Sequence, residues 1–97
     1  MSKRMEFTRD LGISVDELVA SFDQAMALYD VIGTVKYNNI SNSDAKNNSI
    51  TCTIEFSTAK DATFIRSIID SKILIKYNHQ FICTTEQSDK ELIVTIR

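Results

Sequence analysis

Ser49-Ile50-Thr51-Cys52-Thr53-Ile54-Glu55-Phe56-Ser57 alternates without a break: Ile50, Cys52, Ile54 and Phe56 fall on one side, Thr51, Thr53 and Glu55 on the other. A period of two with one apolar and one polar side is the mark of a half-buried β-strand. Such a strand belongs to a sheet with one face on a core and the other toward water, and the neighbouring segments can be placed around it.

Directly downstream, Thr58 and Asp61 form a capping box, and Ala62, Phe64, Ile65, Ile68 and Ile69 supply the apolar stripe of a short helix ending near Ser71. Lys60, Asp61, Arg66 and Asp70 take its exposed side. Upstream, Ser14 and Glu17 repeat the device for a helix beginning at Val15, with Ile13 placed to staple onto Leu18. Val15, Leu18, Phe22, Ala25, Tyr29 and Ile32 recur at steps of three and four, and Val19 and Met26 widen the stripe.

Thr34 to Asn38 reads as a strand, and the polar stretch from Asn38 to Asn48 as the chain's one substantial loop. The last third reads as three strands, Ile73 to Tyr77, Phe81 to Glu86 and Leu92 to Arg97, with turns at Asn78-His79-Gln80 and Gln87 to Lys90. The expected fold is α+β: a mainly antiparallel five-stranded sheet with two helices on one face, in the order α-β-β-α-β-β-β. It occupies residues 14–97, after an N-terminal arm over residues 1–13 in which Met5 and Phe7 alternate with polar neighbours. The inward face is expected to carry Val35, Tyr37, Ile73, Ile75, Tyr77, Phe81 and Cys83 with the alternating sets of the other strands. The reverse face is polar apart from Leu74, Ile82 and Ile93. Asp30, Lys36, Tyr37 and Asn38 recur as Asp70, Lys76, Tyr77 and Asn78, 40 residues on, an echo that a repeated α-β-β unit with an extra strand in the second half would produce and that four chance matches also would.

With 97 residues, 43% hydrophobic and 25% charged, the chain has the composition of one ordinary globular core. Its apolar runs fall far short of the roughly 18 residues a membrane span needs, and Glu6, Arg9 and Asp10 interrupt any secretory leader, so a cytoplasmic location is expected. Cys52 and Cys83 lie in alternating apolar segments without a CxxC partner and read as reduced core thiols. His79 is the lone histidine, the only glycines are Gly12 and Gly33, and no nucleophile elbow, zinc helix or phosphate loop occurs. A non-enzymatic protein without metal or cofactor is expected. The abundance of Ile, Asn, Lys and Ser matches AT-rich coding sequence, as in low-GC bacteria and their phages.

The formal net charge is only -2, but it is unevenly spread: Ser14 to Ile32 holds Asp16, Glu17, Asp23 and Asp30 and no Lys or Arg. Asp16, Asp23 and Asp30 are seven apart, on one side of the first helix. Asp30 falls at the helix's negative end, where it calls for compensation by Lys36 or by a partner's Arg. A solvated face is the plain explanation. The functional one is a small regulator, adaptor or inhibitor that binds a basic site on another protein through these four acids, with Asn38, Asn39, Asn47 and Asn48 as further contacts. The alternative is a nucleic-acid-binding module using Lys36, Lys46, Lys76 and the reverse sheet face. Strand phase opposes it by placing Tyr37 and Tyr77 on the apolar side, away from those lysines. A homodimer through the aliphatic patch or an open sheet edge is a further arrangement compatible with the pattern.

Overall fold

The computed structural model describes residues 14–42 and 48–97, with the backbone alone for residues 37–42 and 48. Helix α1 (Val15–Leu28) leads into strand β1 (Gly33–Asn42), then β2 (Asn48–Phe56), helix α2 (Ala59–Ile68), β3 (Cys83–Ser88) and β4 (Glu91–Ile96). Both helix starts are where the caps put them: Ser14 Oγ accepts the Glu17 N–H at 3.3 Å and Thr58 Oγ1 accepts the Asp61 N–H at 3.1 Å. Each bond satisfies a donor that the first helical turn leaves orphaned. The arm over residues 1–13, and with it the Ile13 staple, lies outside the described residues.

The protein is α+β, and its described sheet has four strands, all antiparallel, in the order β1-β2-β4-β3. The fifth strand expected at Ile73 to Tyr77 is instead helical. α2 runs on through a wide π turn at Ile69–Ile73 and a 3-10 turn at Leu74–Lys76, closed by bonds from the Tyr77 and Asn78 N–H groups to the Leu74 carbonyl. Ile73, Ile75 and Tyr77 alternate like a strand, but Ile69, Ile73 and Tyr77 also repeat at four, and no Gly, Pro or Asn breaks the helix before Asn78. Burial follows the helical phase: Leu74, expected on the reverse face, is buried, and Ile75, expected inward, is exposed. The expected Asn38 to Asn48 loop is also largely strand, since Asn38 pairs with Cys52, Asn39 with Thr51 and Asn42 with Asn48.

Two α-β-β units result, and their hairpins join through β2 and β4, the second strand of each. The 40-residue echo does not mark equivalent places, because Lys36 lies in β1 whereas Lys76 ends the 3-10 turn. The helix caps correspond instead, Ser14 with Thr58. α1 and α2 cover one face of the sheet. The core is Val15, Leu18, Phe22 and Met26 from α1, Ala62, Ile65, Ile69 and Leu74 from the α2 segment, and the inward sets of β2 and β4, including Ile50, Cys52, Ile54, Phe56, Leu92, Val94 and Ile96. Among the described residues no helix is long and apolar enough to cross a membrane.

Candidate functional site

The corner where α1 turns into β1 departs from local expectation at several adjacent residues. α1 ends in a Schellman motif: the Val31 N–H reaches the Met26 carbonyl at 2.8 Å, and the Asp30 N–H reaches that of Ala27 at 3.2 Å. The position after the cap in this motif is left-handed and usually glycine. Here Asp30 fills it, at φ 56°. Its carboxylate also stands at the negative end of the helix dipole, and the last turn of α1 has no basic residue to offset it. Lys36 does not supply the compensation either. Its Nζ bonds Glu91 Oε2 at 3.0 Å and lies 3.7 Å from Glu55 Oε2, and the Glu91 bond leads Glu55 in raising the lysine pKa. Asp30 is exposed, and among the described residues its side chain has no recorded partner.

Apolar side chains close to this acid in the chain, and Phe64 of α2, are exposed. Leu28 is 76% exposed, Ile32 75%, Phe64 42% and Tyr29 36%. Tyr29 and Phe64 meet edge to face across the two helices, ring centroids 5.2 Å apart. The sequence stripe places Tyr29, Ile32 and Phe64 in the core. They are outside because the Schellman turn ends the helical period at Leu28, and because Ala62, Ile65 and Ile69 already fill the inward side of α2. Val31 is drawn back against the core, so Ile32 projects on the opposite side. Exposed aromatic and aliphatic groups gathered at one corner are the composition of a protein contact.

The other acids of α1 lie on two sides. Asp16 and Asp23 share the flank beside Val19 and Met26, and Met26 is the side chain that meets Gly33 at the start of β1. Glu17 lies on the flank toward the α2 segment, where its charge, after burial, helps raise the Tyr77 pKa. The heptad line through Asp30 is therefore broken by the turn, and the stripe is Asp16 and Asp23, with Asp30 at its end.

On the face of the sheet away from the helices stand Thr51, Thr53, Glu55, Thr84, Glu86, Ile93 and Thr95, with Lys36 held between Glu55 and Glu91. Lys76 is not on the sheet; its Nζ sits 5.8 Å from the Tyr77 ring centroid. Lys46 and Asn47 lie outside the described residues. A bulge between Val35 and Tyr37 sets Tyr37 opposite Thr53 in the backbone register, so the uninterrupted strand phase expected for Tyr37 does not hold. Neither Cys52 nor Cys83 is in a disulfide; burial raises the pKa of both thiols, that of Cys52 to about 11. Among the described residues no cluster of His, Cys, Asp and Glu is arranged to hold a metal ion.

No protein-family model matches the chain, and neither the curated proteins nor the solved structures contain a match.

Proposed function

We propose that this chain is a non-enzymatic protein-interaction module, a regulator, adaptor or inhibitor, that recognises a basic partner through the end and outer flank of α1. Asp30 carries the proposal. It occupies a position that favours glycine, opposes the helix dipole and has no neutralising neighbour among the described residues, so the fold bears two local costs, and a partner's Arg or Lys would relieve the electrostatic one. Leu28, Tyr29, Ile32 and Phe64 give that partner apolar anchors beside the charge. Asp16 and Asp23 extend the negative potential along the helix, which raises association rate and selects against acidic competitors. Binding to nucleic acid has weaker support, because Lys36 is tied to two glutamates and the open sheet face holds Glu55, Glu86 and Glu91.

The test is affinity capture from the native host with the wild-type chain and with a folded Asp16→Lys, Asp23→Lys, Asp30→Lys variant. A protein retained by the first and lost by the second supports the proposal. Equal recovery, or recovery of nucleic acid alone, contradicts it.

A further inference from the structure

The two edges of the sheet are treated differently. The Ile82 and Arg97 backbones exchange N–H to carbonyl bonds at 2.7 and 2.9 Å, so along β3 the groups of Thr84 and Glu86 turn toward β4 and those of Thr85 and Gln87 turn outward. α2 covers that outward edge. Arg66 NH2 donates to the Thr85 carbonyl at 2.8 Å, and Arg66 Nε donates to Thr85 Oγ1 at 3.0 Å. Thr85 Oγ1 in turn donates to Asp70, and the Gln87 amide reaches back to the Ala59 carbonyl at 3.1 Å.

β1 has no such cover among the described residues. The Phe56 N–H bonds the Lys90 carbonyl, so the alternate β2 positions Glu55, Thr53 and Thr51 bond toward β1, and the backbone groups of Val35, Asn38 and Ile40 turn outward. The flank of α1 on that side presents Val19 and Met26, which cannot hydrogen-bond an edge, with Asp16 and Asp23 beyond them. A ten-residue edge strand whose outward backbone groups have no partner among the described residues is a template for one more strand.

The geometry points to strand addition at β1: an extended segment of the partner, carrying Lys or Arg, pairs with the outward groups of Val35, Asn38 and Ile40 while its cations face Asp23 and Asp30. This rests on the protein-binding role proposed above and specifies its mode. Charge complementarity selects the occupant, because the flank over this edge has acids and no cation from Ser14 to Ile32. A second copy would bring the same acids against themselves.

The experiment is residue-resolved amide exchange on the full chain, alone and with two end-blocked eight-residue peptides, one alternating Val and Lys and one alternating Val and Glu. The Val-Lys peptide at about 90% occupancy slows exchange at Val35, Asn38 and Ile40 by roughly ten-fold, and the Val-Glu peptide does not. Asn38→Pro, which removes an outward donor and no β1–β2 bond, weakens Val-Lys binding at least about ten-fold, as does Asp23→Lys. Peptide-induced shifts confined to residues 28–32, with β1 exchange unchanged, overturn strand addition and leave the protein-binding role standing. Absence of any effect from either peptide overturns strand addition, while the protein-binding role stands or falls on the capture experiment. Protection of these amides in the unliganded chain assigns the edge to its own residues 1–13 or to a second copy, and overturns the partner strand.

Discussion

Replacing Asp30 with glycine should make the protein more stable while weakening its binding. Two separable terms set the size. A non-glycine residue in the left-handed region costs on the order of 1–2 kcal/mol, less for Asp than for most, and part of the relief is returned because glycine has more freedom when unfolded. The net backbone gain is about 0.5–1 kcal/mol. Removing a negative charge from the C-terminal end of α1 adds about 0.3–1 kcal/mol. Asp30→Gly should therefore stabilise by about 1–2 kcal/mol, which for a domain of this size raises Tm by roughly 5–10 °C. Asp30→Asn keeps a residue that tolerates the left-handed turn and removes only the charge, so it should gain the smaller part, and that part should shrink in 1 M salt. Urea unfolding of the three proteins at low and high salt measures both terms. A neutral or destabilising Asp30→Gly would refute the reasoning, because it would mean the carboxylate makes a favourable contact in the free protein.

Gly33 sits where α1, β1 and β2 meet: a Cβ there would stand 2.6 Å from Met26 Sδ and 2.8 Å from Phe56 Cδ1. Gly33→Ala should cost about 1–3 kcal/mol by overpacking, read from the urea midpoint, and with Met26→Ala in a double-mutant cycle the two costs should sum to less than their separate values. Arg66→Ala removes both of its bonds to Thr85 on the β3 edge, so it should cost about 1–2 kcal/mol and increase self-association seen by analytical ultracentrifugation; Arg66→Lys, which cannot span both acceptors, should lie between. The Cys52 thiol, pushed up to about 11 from 9.0 by burial, favours the folded state fully below pH 9 and loses that contribution as pH rises through 11. Stability should fall by up to roughly 2–3 kcal/mol over that window, and Cys52→Ala should remove that part of the decline.

The helices were legible because their signals are local: each cap is a hydroxyl followed three residues later by the N–H it accepts, at Ser14 and at Thr58. Strand β2 was equally plain, since its central place in the sheet enforces alternation. Ile73 to Tyr77 misled because five residues rich in isoleucine satisfy either period, and only the packing of Ile69, Ile73 and Leu74 against the core decides between them. The four acids were visible as a charge imbalance, but the break of their line at Asp30 was not, because the Schellman turn there alters the direction of everything after Leu28. The apolar corner could not be read from the sequence either. Tyr29 and Phe64 have core spacing in each helix, and they lie outside because the Schellman turn ends α1 at Leu28 and Ala62, Ile65 and Ile69 fill the inward side of α2. The Arg66 contacts with Thr85 span 19 residues and leave no local pattern.

The most direct test of the protein-binding role is site-specific photocrosslinking in the native host, with benzoylphenylalanine placed singly at Leu28, at Ile32 and, on the open sheet face, at Glu86. All three positions are exposed, so the substitutions should leave the fold intact. A single protein partner crosslinked from positions 28 and 32 and not from 86 is the predicted result. Crosslinks from position 86 alone, or none from the α1–β1 corner, would contradict it.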